Sequence, residues 1–98
     1  MLILRVLQEE ALHGYAIAQR IRVLSSEVLA VEEGSLYPAL QRLLKAGLVK
    51  ARWGISATNR RVRIYELTAT GRKHLEREVS RFEEMLEGIT RVLALGEL

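Results

Sequence analysis

Cysteine is absent from the 98 residues, and proline occurs only once. The lack of cysteine excludes a disulfide framework and a thiolate zinc site, and it favours a reducing compartment. One proline and seven glycines are too few for a low-complexity chain, while 49% apolar and 28% charged residues exclude a disordered one. The length allows one hydrophobic core. The sequence therefore predicts a single globular domain.

Long apolar runs are also missing, because the N-terminal run LILRVL contains Arg5 and is followed by polar residues. It is too short for a membrane span or a signal peptide. His13 and His74 have no Cys or Asp anywhere in the chain to complete a metal site. Adjacent glutamates do not face each other on a helix, so they do not form a catalytic carboxylate pair. We therefore expect a cytoplasmic protein with no membrane contact, no metal, no cofactor and no enzymatic activity.

The positive charge is unevenly distributed. Residues 1–71 hold ten Lys and Arg against six Glu, net +4, whereas residues 72–98 hold five against six, net −1. Residues 42–63 contain seven basic residues and no acid: Arg42, Lys45, Lys50, Arg52, Arg60, Arg61 and Arg63. A patch of one sign favours a polyanionic partner.

Apolar periodicity predicts two helices near the N-terminus. The first covers residues 2–9, with Leu2, Ile3, Val6 and Leu7 on its apolar face. The second runs from about Gly14, whose neighbour His13 is expected to help it start, to Leu24, the last residue of its apolar stripe. Residues 25–33, SSEVLAVEE, combine serines with β-branched residues and indicate a short strand.

The stretch EEGSLYPALQRLLKAGLV, residues 32–49, predicts a third helix over about residues 35–46. With Gly34 or Ser35 as N-cap, Pro38 falls in the first turn. Backbone N–H groups in the first turn have no intrahelical partner, so the N–H that proline lacks costs no hydrogen bond. Gly47 is expected to end the helix in the left-handed conformation. Leu36, Leu40, Leu43 and Leu44 form the buried stripe. The outward face carries Ser35, Tyr37, Pro38, Gln41, Arg42 and Lys45.

Two β-favouring segments follow the third helix. Residues 49–53 alternate apolar and basic side chains, residues 54–60 form a polar loop, and residues 61–67, RVRIYEL, are rich in β-branched and aromatic residues. They predict a hairpin whose tip and arms carry arginine. Trp53, Tyr15 and Tyr65 are interpreted as packing residues.

Thr68 is expected to cap a final helix that runs without proline to about Leu95. Its apolar residues are spaced 4, 3, 4, 3 and 4, as in a coiled-coil seam. At 1.5 Å per residue the helix exceeds the dimensions of a compact domain of this size, so its seam needs a partner. The seam residues are Leu75, Val79, Phe82, Leu86, Ile89 and Leu93.

Three helices and a two-stranded hairpin occur in the order typical of a winged helix-turn-helix, a mainly α fold with a small β-hairpin. In that fold the third helix enters the DNA major groove and the hairpin, or wing, reaches the backbone or minor groove. The basic residues lie on these two elements, which favours double-stranded DNA as the partner. Two alternatives stay open: a winged-helix module that binds protein, and a ligand-sensing scaffold with incidental DNA affinity.

The motifs resemble those of the PadR family of bacterial transcriptional regulators over nearly the whole chain. The matching stretches are LHGYAIAQRI in the second helix, EEGSLYPALQRLLKAGLV around the third, and NRRVRIYELTATGR in the wing. The resemblance implies a homodimeric regulator, most simply a repressor of a two-fold operator. Residues 1–67 would form the DNA-binding domain, and residues 68–98 the single dimerisation helix of the family's short branch, in one continuous unit.

The resemblance also implies roles for particular side chains. Ser35, Tyr37, Pro38 and Gln41 would lie at the groove of DNA, and Asn59, Arg60 and Arg61 at the wing tip. Against the family pattern, the first helix is short at its front end. Some short-branch members bind aromatic drugs at the dimer centre through a tryptophan of the last helix, whereas the tryptophan here, Trp53, falls on the wing. A small-molecule effector therefore stays undefined.

Overall fold

The computed structural model describes residues 1–97, so the last residue of the predicted segment 68–98 lies outside it. Four α-helices and three strands follow one another, and a short 3-10 helix, Ala94–Glu97, ends the described chain. The helices are α1 (Leu2–Glu9), α2 (Gly14–Leu24), α3 (Glu33–Lys45) and α4 (Ala69–Leu93). The strands are β1 (Leu12–His13), β2 (Val49–Ile55) and β3 (Arg61–Leu67).

Helices α1 and α2 have the predicted bounds, but their buried faces differ in part from the predicted ones. In α1 the fully buried side chain is Leu4, and Leu2 is 43% exposed. In α2 Ile17 and Ile21 are buried, whereas Leu24 is exposed because the chain leaves the core at the last turn. The Nδ1 atom of His13 accepts a hydrogen bond from the N–H of Ala16 at 3.0 Å, which confirms that His13 caps α2.

The predicted strand at residues 25–33 is wrong. Residues 25–32 form turns and extended coil, with Ser26 and Glu27 both in the left-handed region at φ 53° and 66°. The third strand lies elsewhere, at Leu12–His13, and pairs antiparallel with β3 through Tyr65 and Ile64. Two residues carry too little pattern to be recognised as a strand from sequence.

Helix α3 starts two residues earlier than predicted. Glu32 is the N-cap, and its carbonyl accepts hydrogen bonds from the N–H groups of Ser35 and Leu36, both at 3.0 Å. Pro38 therefore lies in the second turn and does not begin the helix. Because proline has no N–H, the carbonyl of Gly34 lacks the helical hydrogen bond that residue 38 would otherwise donate. The predicted C-terminus is confirmed: Gly47 has φ 74°, and Leu48 N–H donates to the carbonyl of Leu43 at 3.0 Å.

The sheet has the order β1-β3-β2 and is antiparallel throughout. Strands β2 and β3 pair over their whole length, from Val49 opposite Leu67 to Ile55 opposite Arg61. The inner half of one face packs on the helices, where Val49 and Tyr65 are buried. The outer half extends past them as the wing.

One core joins the helices to the sheet. Its fully buried side chains come from the first three helices: Leu4, Ile17, Leu36 and Leu40. Leu75 of α4 also belongs to this core at 2% exposure, and Val79 packs against it. The assignment of Leu75 to an intermolecular seam is therefore corrected, because its side chain has no surface left for a partner.

Thr68 joins α4 to the end of α3. Its Oγ1 accepts a hydrogen bond from the N–H of Gly71 at 3.0 Å and donates one to the carbonyl of Gly47 at 2.7 Å.

Thr68→Ala should lower the free energy of unfolding by about 2 kcal/mol, from one lost cap and one lost hydrogen bond. Urea unfolding measures this loss. Thr68→Ser should retain most of the stability, and the exposed neighbour change Thr70→Ala should cost little; equal costs at both positions would contradict the capping role.

Candidate nucleic-acid interface

The basic residues of α3 and the hairpin lie on the surface, and most carry unneutralised charge. Lys50 pairs with Glu66 at 3.8 Å, which removes it from the patch predicted from sequence. Among residues 1–95, whose side chains the structure describes, the other six have no carboxylate within ion-pairing distance. These six are Arg42, Lys45, Arg52, Arg60, Arg61 and Arg63. Unpaired surface cations suit phosphate groups.

The outward face of α3 is as predicted. Leu36 and Leu40 are buried at 1% and 0% exposure, and Tyr37 is 46% exposed. The remaining residues predicted for this face are all exposed: Ser35, Pro38, Gln41, Arg42 and Lys45. Because the leucines fix the rotation of the helix, these polar side chains point away from the core together.

The hairpin ends in a tight turn at residues 56–60. The N–H of Ser56 donates to the carbonyl of Arg60 at 2.8 Å, and Asn59 takes the left-handed conformation at φ 60°. Asparagine tolerates that conformation better than most residues, so Asn59 has a structural reason to stand at the tip. The turn holds Asn59 and Arg60 at the outer end of the wing.

A groove of about 1010 Å³ separates the start of α2 from the wing. Tyr37 reaches it from α3 and packs so closely on Gly14 that a Cβ there would lie 2.9 Å from the ring. The predicted site residues at the groove are Tyr37, Arg60, Arg61 and Arg63. Ser35, Pro38, Gln41, Arg42, Lys45 and Asn59 do not line it. The structure thus places Tyr37 of α3 and the wing arginines on the lining of one groove.

Sequence reasoning missed the other groove residues. Trp53 and Tyr15 were interpreted as packing residues, yet they are 55% and 59% exposed and both line the groove. Of the three residues interpreted in this way, Tyr65 is the one that is buried. The Tyr15 hydroxyl accepts a hydrogen bond from Gln19 Nε2 at 2.7 Å. Alternation along β2 correctly placed Trp53 on the face of Val49, but it cannot show that the helices end before reaching Trp53.

The described residues hold no group of three or more His, Asp or Glu side chains suited to a metal ion. No helix in residues 1–97 combines the length and apolarity needed to cross a membrane.

The profile of the Transcriptional regulator PadR-like family matches residues 3–77. A solved transcriptional regulator of Clostridium thermocellum is 31% identical, with a TM-score of 0.83, over 92% of this chain and 87% of that one. A PadR family transcription regulator of Clostridium difficile is 26% identical, with a TM-score of 0.80, over 94% of each chain. Bacillus subtilis PadR in complex with operator DNA is 26% identical, with a TM-score of 0.69, over 79% of this chain and 42% of that one.

These likenesses confirm the predicted winged helix-turn-helix fold with its long C-terminal helix. The family match runs from α1 into the first turns of α4 and includes every basic residue of the patch. The chain belongs to the PadR-like family of transcriptional regulators.

Proposed function

We propose that the protein is a sequence-specific DNA-binding repressor that binds a two-fold operator as a homodimer. The observation that carries this proposal is that Tyr37, on the exposed face of α3, lines one groove together with the wing residues Arg60, Arg61 and Arg63. These arginines have no carboxylate partner among the described side chains. A relative with 26% identity was solved with operator DNA, which supports DNA as the partner here. The protein would act by binding, in the cytoplasm where the chromosome lies, and would catalyse no reaction.

The two contact elements would have different tasks. Side chains on the front of α3 can reach base edges in the major groove, which makes Ser35, Tyr37 and Gln41 candidates for reading sequence. Arg42 and Lys45 on α3, and Asn59, Arg60, Arg61 and Arg63 on the wing, would contact the backbone, with Pro38 shaping the α3 surface. Backbone contacts position the protein and supply much of its affinity.

The second copy would pack along α4. The molecule measures 58 × 28 × 22 Å, and its radius of gyration of 16.0 Å exceeds the roughly 13 Å of a compact domain this size. The excess is the outer part of α4, a helix of 25 residues and roughly 37 Å. A two-fold partner would cover its apolar face and would set the two α3 helices about 34 Å apart, one turn of DNA.

The decisive experiment compares a duplex that the protein selects from a random-sequence library with a scrambled duplex of equal length. Gln41→Ala should cost about 1–3 kcal/mol of binding free energy on the selected duplex and much less on the scrambled one. Arg60→Ala should weaken binding to both duplexes alike and reduce the slope of log affinity against log salt by about 0.9 per subunit. Fluorescence anisotropy at several salt concentrations measures both quantities.

Equal losses from Gln41→Ala on the two duplexes would show that Gln41 contacts only the backbone. Wild-type binding that depends on neither salt nor sequence would contradict the proposed function itself and would favour a winged-helix module for protein partners.

A further inference from the structure

We propose that Trp53 is a positioning residue for DNA binding, which holds the Arg61 and Arg63 guanidinium groups ready to meet phosphates. This inference rests on the proposed function and adds a residue with no predicted role at the DNA. Its basis is the cluster that the three side chains form on the wall of the groove.

The strand register places the three side chains together. Trp53 lies directly opposite Arg63, and Ile55 lies opposite Arg61, so Trp53 and both arginines share one face of the hairpin. The guanidinium carbon of Arg61 is 4.3 Å from the centroid of the Trp53 ring, and that of Arg63 is 5.2 Å away. Both distances fall within the about 6 Å over which a cation is attracted to an indole face.

An aromatic ring holds a cation without neutralising it. Within the part of the chain whose side chains are described, four other arginines are held by carboxylates: Arg5 and Arg20 by Glu9, Arg22 by Glu27, and Arg91 by Glu87. Arg61 and Arg63 have no such partner among the described residues, and Trp53 takes its place. Their full charge and their N–H donors therefore remain available to a phosphate.

The exposure of Trp53 argues against a role in core packing. Its side chain is 55% exposed, on a half of the sheet that the helices do not cover. Tyr37 of α3 and Tyr15 of α2 line the same groove, so the arginines held by the ring share that groove with α3. Two like charges beside one ring also repel each other, and an anion between them removes that repulsion. Ordering the arginines in advance lowers the entropy lost when they bind.

Trp53→Ala should weaken binding to DNA about tenfold, equivalent to about 1.4 kcal/mol. Because no charge is removed, the slope of log affinity against log salt should remain that of the wild type. Removing the arginines instead should lower the slope by about 0.9 for each lost phosphate contact. A changed affinity at an unchanged slope distinguishes positioning from direct charge contact.

The matched variants are Trp53→Tyr, which keeps an aromatic face, and Trp53→Leu, which keeps only apolar bulk. Tyrosine should restore most of the affinity and leucine little. In the Arg61→Ala, Arg63→Ala background, Trp53→Ala should change affinity less than twofold. Far-UV circular dichroism checks that each variant is folded, and the single tryptophan of the wild type should change its fluorescence when a duplex binds.

Three results would overturn the inference while leaving the proposed function intact: wild-type affinity in Trp53→Ala, equal affinity of the leucine and tyrosine variants, or an undiminished loss without the arginines. Failure of the wild type to bind any duplex would instead refute the proposed function, and the role of Trp53 with it.

Discussion

Replacing Phe82 and Leu86 together by glutamate is expected to yield a folded monomer whose affinity for the full operator is lower by about 10²–10⁴-fold. The loss has that size because a dimer binds its second half-site as an intramolecular event, and a monomer cannot. Affinity for a single half-site should change little, since α3 and the wing lie upstream of both substitutions. Sedimentation velocity measures the association state, and titration of full and half operators measures the two affinities.

The structure supports this expectation through the surface of α4. The face of α4 that packs on α1 continues beyond Val79, where the rest of the domain no longer covers it. The apolar side chains on this part of the face are 44–75% exposed. They include the predicted Phe82, Leu86, Ile89 and Leu93, together with Met85 and Val92, which the heptad spacing omitted. Left in water, each large side chain forgoes up to about 1.5–3 kcal/mol of burial. A second copy offers an identical face and can cover all of them.

Ser80→Glu with Gly88→Glu provides the matched control. It adds the same two charges to α4, at exposed positions outside the apolar stripe. This control should sediment as a dimer and bind the full operator normally. If the Phe82 and Leu86 variant also remains a dimer with normal affinity, the assembly proposed here is wrong.

The sequence was sufficient for several features that a local pattern determines. The bounds of α1, α2 and β3, the cap at Thr68 and the left-handed Gly47 were all predicted, because each depends on neighbours within a few residues. The polar face of α3 followed from the leucine spacing of the same helix.

The false strand at residues 25–33 and the late start of α3 were misread from local patterns. Other errors arose where distant parts of the chain meet. Strand β1 exists because β3 offers its free edge to Leu12 and His13, and no pattern within two residues reveals such a pairing. The exposure of Trp53 depends on where the helical layer ends over the sheet, and the burial of Leu75 depends on α1 packing against α4. Tertiary packing decides such cases. Only the structure therefore shows that the first part of the predicted seam packs within the molecule and that the rest of it is exposed.

Gly71→Ala is expected to destabilise the protein by about 3 kcal/mol, since overpacking against fixed backbone lies at the upper end of such costs. A Cβ at Gly71 would lie 2.0 Å from the carbonyl oxygen of Leu48 and 2.8 Å from Leu67 Cδ1. That oxygen cannot move freely, because it accepts a hydrogen bond from the N–H of Thr68 at 3.1 Å, while Leu48 N–H closes the end of α3. The first turn of α4 therefore has to separate from the strand that begins at Val49.

Gly88→Ala is the control, because Gly88 lies in the same helix and, among the described residues, nothing beyond its chain neighbours and its own helix backbone lies within 4 Å of the added Cβ. It should stabilise the protein by about 0.5–1 kcal/mol, as replacing glycine inside a helix usually does. Urea unfolding at one fixed protein concentration compares the two variants, because dimerisation would make stability depend on concentration.

Since the contact at Gly71 fixes the direction in which α4 leaves the winged domain, Gly71→Ala should also lose more affinity for the full operator than for a half-site. If Gly71→Ala unfolds at the wild-type urea concentration, the close approach of α4 to Leu48 is incorrect, and the direction assigned to α4 is incorrect with it.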